Sequence, residues 1–170
     1  MATTGSVTIV ASADETLDVP ENHFGSIVDF LNLNYRWTDG TGAGQNDIVW
    51  SDRRTVGAGA TDTIDFRGGG LTDVYGAALD FVEITSIVIS NRETTAGTRK
   101  LSFGPAAANP FLWLFLNASD LVSIVPGGCY AQWSDEAQSL VAGGSDQLRL
   151  INTDGANTVT YDILVVGRTA

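Results

Sequence analysis

Gln147-Leu148-Arg149-Leu150-Ile151-Asn152, Thr153-Asp154-Gly155-Ala156-Asn157 and Thr158-Val159-Thr160-Tyr161-Asp162-Ile163-Leu164-Val165-Val166 make up the most legible stretch of the chain. Two strand-length apolar runs flank a cluster of turn-forming residues. In the second run Val159, Tyr161, Ile163 and Val165 share one face, and Thr158, Thr160 and Asp162 share the other. Leu164 and Val166 then place apolar residues on both faces, the pattern of a strand covered on both sides. Asp-Gly offers the positive φ of a two-stranded turn, so the stretch predicts a β-hairpin.

The same punctuation continues towards the N-terminus. The chain has 170 residues and 19 glycines, and Gly, Thr, Asp and Asn separate short runs of Val, Ile, Leu, Phe and Tyr. Strands are expected at Val7–Val10, Asp47–Ser51, Thr61–Phe66, Arg99–Phe103 and Leu121–Val125. Phe24–Leu33 reads as a strand or a short helix, and Leu71–Leu79, which contains Tyr75-Gly76-Ala77-Ala78, is ambiguous. Phe81–Ser90 is apolar on both faces and is expected in the middle of a sheet. Pro126-Gly127-Gly128 predicts a turn that makes neighbours of Leu121–Val125 and Cys129–Trp133. No amphipathic helix stands out. The expected fold is all-β, a β-sandwich or jelly roll of about eight to ten strands with little helix. An N-terminal arm over residues 1–34 precedes the domain at 35–170, with the boundary near Leu33–Asp39.

The net charge is −11, with Lys100 the only lysine and eight scattered arginines, so no basic stripe exists to neutralise phosphates. Nucleic acid and anionic membrane surfaces are therefore not expected partners. No apolar run reaches the ~20 residues of a membrane helix. The N-terminus lacks a secretory pattern, so synthesis in a cytoplasm is expected. Cys129 and His23 are each the only residue of their kind, which leaves no disulfide and no cysteine zinc cluster.

The candidate chemistry is sparse. His23 lies in Glu21-Asn22-His23-Phe24 and reads as a surface or capping residue; Cys129 reads as a small buried hydrophobe. Gly40–Gly44 and Gly68–Gly70 lack the lysine and strand-to-helix setting of phosphate loops. Asp39–Asp47 offers oxygen ligands without the spacing of a calcium-hand loop. No catalytic residue, cofactor or metal is assigned, and the chain is not expected to be an enzyme. Trp37, Trp50, Trp113 and Trp133, with Tyr35 and Tyr130, fit a core or subunit interface, or else a sugar-stacking platform. Phe111-Leu112-Trp113-Leu114-Phe115-Leu116 has to be covered by a second sheet or by another subunit, because an exposed strand of this kind would aggregate.

From Thr38 to Ala170 the sequence resembles a family of small virion structural proteins of tailed bacteriophages. The resemblance rests on Thr38-Asp39-Gly40-Thr41-Gly42-Ala43-Gly44-Gln45-Asn46-Asp47 and Trp50-Ser51-Asp52-Arg53-Arg54-Thr55. It continues with Leu71-Thr72-Asp73-Val74-Tyr75-Gly76, Leu79-Asp80-Phe81 and Val125-Pro126-Gly127-Gly128. It closes with Val141-Ala142-Gly143-Gly144-Ser145-Asp146-Gln147-Leu148, Val159-Thr160-Tyr161-Asp162-Ile163 and Val166-Gly167. The resemblance implies a virion component without catalysis. A decoration or cement protein on the outer capsid surface is expected, with the major capsid protein and further copies of itself, as a trimer, for partners. Phe111, Trp113 and Phe115 are the expected self-association residues, and Phe24, Tyr35 and Trp37 the expected capsid contacts. A tail, neck or fibre-base component and a carbohydrate-binding module are the alternatives.

Overall fold

The computed structural model describes residues 3–19, 23–95, 97 and 99–170, with the backbone alone for residues 10–19 and 23–32. Among the described residues ten strands are present: β1 (Gly5–Val19), β2 (His23–Trp37), β3 (Ile48–Val56), β4 (Thr61–Asp65), β5 (Glu83–Asn91), β6 (Leu101–Pro105), β7 (Val122–Ile124), β8 (Cys129–Ser139), β9 (Gln147–Asn152) and β10 (Val159–Arg168). β1 and β2 form a two-stranded ribbon. The other eight form two four-stranded antiparallel sheets, ordered β3-β10-β5-β8 and β4-β9-β6-β7. The expected all-β sandwich is what the chain forms, and this strand order is the winding of an eight-stranded jelly roll.

The core lies between the two sheets because every sandwich strand but the edges alternates apolar-in. Trp50, Ile87, Ile89, Val159, Tyr161, Ile163 and Val165 from the first sheet meet Ile64, Leu101, Phe103, Ile124, Leu148 and Leu150 from the second. β5 is an inner strand, as its two apolar faces predict. A bulge at Thr85 shifts its register against β10, and the Thr85 hydroxyl donates to Asn46 Oδ1 at 2.7 Å.

Two predicted pairings are corrected. Gln147–Asn152 and Thr158–Val166 are strands, but not a hairpin: β9 and β10 belong to opposite sheets. Gly155 does not adopt a positive φ. Instead Asp154 Oδ1 accepts the amides of Ala156 and Asn157, and the buried Asn152 amide donates to the carbonyls of Val56, Gly57 and Asn157. Side chains turn the segment into an arch across the sandwich. Similarly, β7 and β8 do not pair; Pro126-Gly127-Gly128 carries the chain from β6's neighbour to β5's neighbour. Asn91 anchors this crossing by donating to the carbonyls of Arg99 and Ile124.

Phe111–Leu116 is not a strand. Leu71–Leu79 is a loop closed by a single bridge, Thr72 to Ala78. Phe24–Leu33 falls wholly within β2, so its backbone is extended.

Charged groups lock the edge of the sandwich. The Tyr161 hydroxyl donates to Asp62 Oδ2 at 2.7 Å, and Arg54 Nε approaches the same oxygen at 2.8 Å, joining β3, β4 and β10. Burial, then the carboxylate partner, push the Tyr161 phenol far above its ordinary pKa. Tyr161→Phe keeps the ring and removes the bond. Its expected cost is about 1–2 kcal/mol, measured by urea unfolding, because Asp62 retains Arg54.

Glu93 does comparable work on the crossing from β5 to β6. Its carboxylate accepts the Thr160 amide at 3.0 Å and Arg99 Nη1 at 2.8 Å. The Thr160 amide, then Arg99, hold its pKa below the ordinary value. A depressed carboxylate contributes in full above its unfolded pKa of about 4.3 and loses that contribution as pH falls through the folded value. Glu93→Gln is therefore expected to be less stable than the parent at pH 7, by about 1 kcal/mol. The gap should close on acidification below about pH 4, followed by denaturant titrations across that range.

Candidate functional site

The ribbon meets the sandwich at its base. Its register runs from Gly5↔Trp37 to Val19↔His23 without a bulge. Val7, Tyr35 and Trp37 are buried against Val166, with Val49, Val88, Trp133 and Leu164 packed around them. These partners lie on the outer face of the first sheet, which explains why β10 is apolar on both faces towards its end. Tyr35 and Trp37 stack obliquely, 5.8 Å between ring centroids. Opposite Trp37 sits Gly5, where any Cβ would collide with the indole ring.

Polar groups fix the same joint. Asn46 is fully buried; its amide donates to the Tyr35 hydroxyl at 3.2 Å, and its oxygen accepts from Thr85. Arg168, also buried, donates to the carbonyls of Gln45 and Asp135 and to Glu83 Oε2. The loop 38–47 is thus held by the C-terminal strand, with Thr169 bonded to Asp47. This loop contains the oxygen-rich stretch Asp39–Asp47. Among the described residues no group of three or more His, Cys, Asp or Glu is placed to hold a metal.

Beside the joint lies an open groove of about 720 Å³ lined by Asn34, Tyr35, Arg36, Trp133 and Asp135. It offers both charge signs and an aromatic surface to an extended polar segment. Further along the same sheet face, Arg53 and Asp162 pair at 2.6 Å, with Arg92 at 3.4 Å from the other carboxylate oxygen. The Arg53 hydrogen bond holds the Asp162 carboxyl below its usual range. The Arg53–Asp162 pair ties β3 to β10 and lines a second open groove, of about 530 Å³, together with Ser51, Asp52, Val88 and Ser90.

The residues singled out from sequence separate into three environments. Tyr35 and Trp37 are buried in the ribbon's joint, at 5% and 7% exposure, where they hold the arm. Phe24 lies in β2, opposite Asp18, and its side chain is outside the described residues, as is that of His23. Phe111 is fully buried between Phe66 and Trp113, at centroid distances of 5.4 and 6.3 Å. Trp113 and Phe115 are half-buried on the same core, Phe115 against Phe103 at 5.9 Å. The chain's own core covers most of this run, leaving Leu112 and Leu116 exposed.

The other tryptophan, Trp50, is a core residue, so among the described residues the sugar-platform reading retains only the half-buried Trp113, Trp133 and Tyr130. Cys129 corrects its reading: it is exposed at the start of β8. Asn46, Asn91, Asn152 and Arg168 escaped the sequence reading. A lone Asn or Arg at a strand end carries no local mark of burial, since its partners come from distant segments.

No protein-family model matches the chain, and no curated protein matches it. Among solved structures it is similar to a de novo designed double-stranded β-helix, at 12% identity and a TM-score of 0.34, over 68% of this chain and 97% of that one. It is also similar to PirA, at 15% identity and a TM-score of 0.36, over 68% of this chain and 92% of that one.

Proposed function

We propose that this protein is a virion structural protein, a decoration or cement protein bound to the outer surface of a capsid shell. The observation that carries the reading is the union of a jelly roll with a long two-stranded arm clamped at one end. Fifteen paired residues per strand span about 48 Å, against about 34 Å for β8, the longest strand of the sandwich. An isolated two-stranded ribbon is at best marginally stable in water. Such an arm gains its stability from surfaces beyond its own domain, and a neighbour in a repeating lattice supplies them. Many modest contacts repeated over a shell then add up through avidity. The acidic balance disfavours adhesion to DNA and keeps a surface component soluble. The sequence resemblance to phage virion proteins points the same way. The partners are then the major capsid protein and further copies of this chain, in a trimer.

The deciding measurement is copy number against the major capsid protein in purified virions, by quantitative mass spectrometry. A simple ratio set by capsid symmetry is the expected result. A few copies per particle would transfer the protein to the tail or neck. Its absence from virions would refute the proposal.

A further inference from the structure

We infer that one end of the jelly roll, built from the loops 66–82, 106–121 and 140–146, is the face that docks on the shell, against apolar depressions rimmed by basic groups. The inference rests on the decoration reading and adds the orientation and the chemistry of the contact.

The end is defined by register. Asp65 pairs with Gln147, Pro105 with Leu148 and Phe103 with Val122, while Glu83 pairs with Ser139 and Arg168. The three loops that join these strand ends therefore emerge on one side of the sandwich. They also bind one another. The Phe66 amide donates to the Asp146 carbonyl, the Asp146 amide to Asn109, and the Leu140 amide to Val82. Arg67 Nη1 donates to the Leu140 carbonyl at 2.6 Å. Beneath them Phe66, Phe81 and Phe111 pack edge to face. The loops form one floor, ordered before any partner arrives.

This floor carries most of the large apolar side chains that the described surface exposes. Val74, Tyr75, Leu112, Leu116, Leu121 and Val141 all belong to it, Leu116 at 93% and Val74 at 86% exposure. Outside it only Leu33 and Val125 are comparable. Scattered apolar residues need no explanation, but their concentration on one preorganised end marks an interaction face. The tips are held out deliberately. Asp73 Oδ1 accepts the amides of Tyr75 and Ala77, with Gly76 at a φ of 84° closing the turn. Asp120 Oδ2 accepts the amides of Leu116 and Asn117.

Charge selects the occupant. Asp73, Asp80 and Asp120 outnumber a single cation, Arg67, across the three loops, the fourth acid, Asp146, being buried. Two copies of this face repel each other. The chain is also poor in free cations to offer a second copy, because Arg53, Arg54, Arg92, Arg99 and Arg168 pair with its own carboxylates. The complement is an apolar surface ringed by lysine or arginine on a different protein, here the shell.

The test is co-sedimentation of the full-length protein with capsids stripped of it. Leu116→Asp and Val141→Asp are expected to weaken binding at least about tenfold each, with thermal stability unchanged. Val125→Asp, at the opposite end, is expected to bind like the parent, and higher salt to weaken binding throughout. Loop variants that bind like the parent, or a Val125→Asp loss as large as theirs, would overturn the docking face while leaving the decoration reading intact. A parent that does not bind stripped capsids would overturn both. A fall in native mass on Leu116→Asp would make a second copy the occupant and overturn the inference.

Discussion

Phe111→Ala is expected to lower stability by about 3–5 kcal/mol, the largest effect of any substitution considered for this protein. The ring is fully buried, in edge contact with Phe66 and Trp113, and its backbone amide donates to the Gln147 carbonyl. Truncation removes the transfer energy of the ring and leaves a cavity beneath the loop floor, where the hydrogen-bonded loops resist collapse. For a chain of this length the melting temperature should fall by roughly 6–20 °C. Calorimetry at two protein concentrations separates the two roles considered for this residue. A core residue gives the same loss at both concentrations. An interface residue gives a loss that varies with concentration, together with a reduced native mass.

Asn152→Ala is expected to cost about 2–4 kcal/mol. The side chain is 1% exposed; it donates to three carbonyls at 2.7–3.3 Å and accepts the Asp154 amide at 2.9 Å. Alanine strands buried carbonyls at the β3–β4 turn and frees the arch between β9 and β10. Denaturant unfolding measures the total. Amide exchange locates it: Gly59, whose amide donates to the Asp154 carbonyl, and Asp154 itself should lose protection ahead of the sheet strands. Asn152→Asp should be at least as damaging at neutral pH, because it turns an anionic oxygen towards carbonyls that need a donor. If Asn152→Ala matched the parent, the arch would be held by the turn sequence alone.

The two substitutions mark the boundary between what was legible and what was not. Strand existence was readable almost everywhere, because period-two alternation is a local consequence of facing a core on one side. β10 is the clearest case. Val159, Tyr161, Ile163 and Val165 face the sandwich, and the apolar Leu164 and Val166 announce a second cover, which proves to be the ribbon's base. The extended β2 was only half legible, since its irregular apolar pattern suits helix and strand alike.

Pairing was not local. An Asp-Gly turn between two apolar strands reads as a hairpin, but whether the second strand pairs with the first or crosses to the facing sheet depends on Asn152 reaching Val56 and Gly57, nearly a hundred residues earlier in the chain. The apolar run at 111–116 announces a need for cover, and the cover comes from Phe66 and Phe103 of the same chain. Tyr35 and Trp37 read as contact residues for the same reason that they are buried: large aromatics serve both ends, and the placement of Val166 and Leu164 buries them here. The sequence by itself determined the class of the fold, its strands and its acidic surface, because these follow from neighbouring residues and summed charge. The tertiary structure alone decided sheet membership, the buried Asn and Arg anchors and which apolar residues stay exposed, because each depends on groups that only folding brings together.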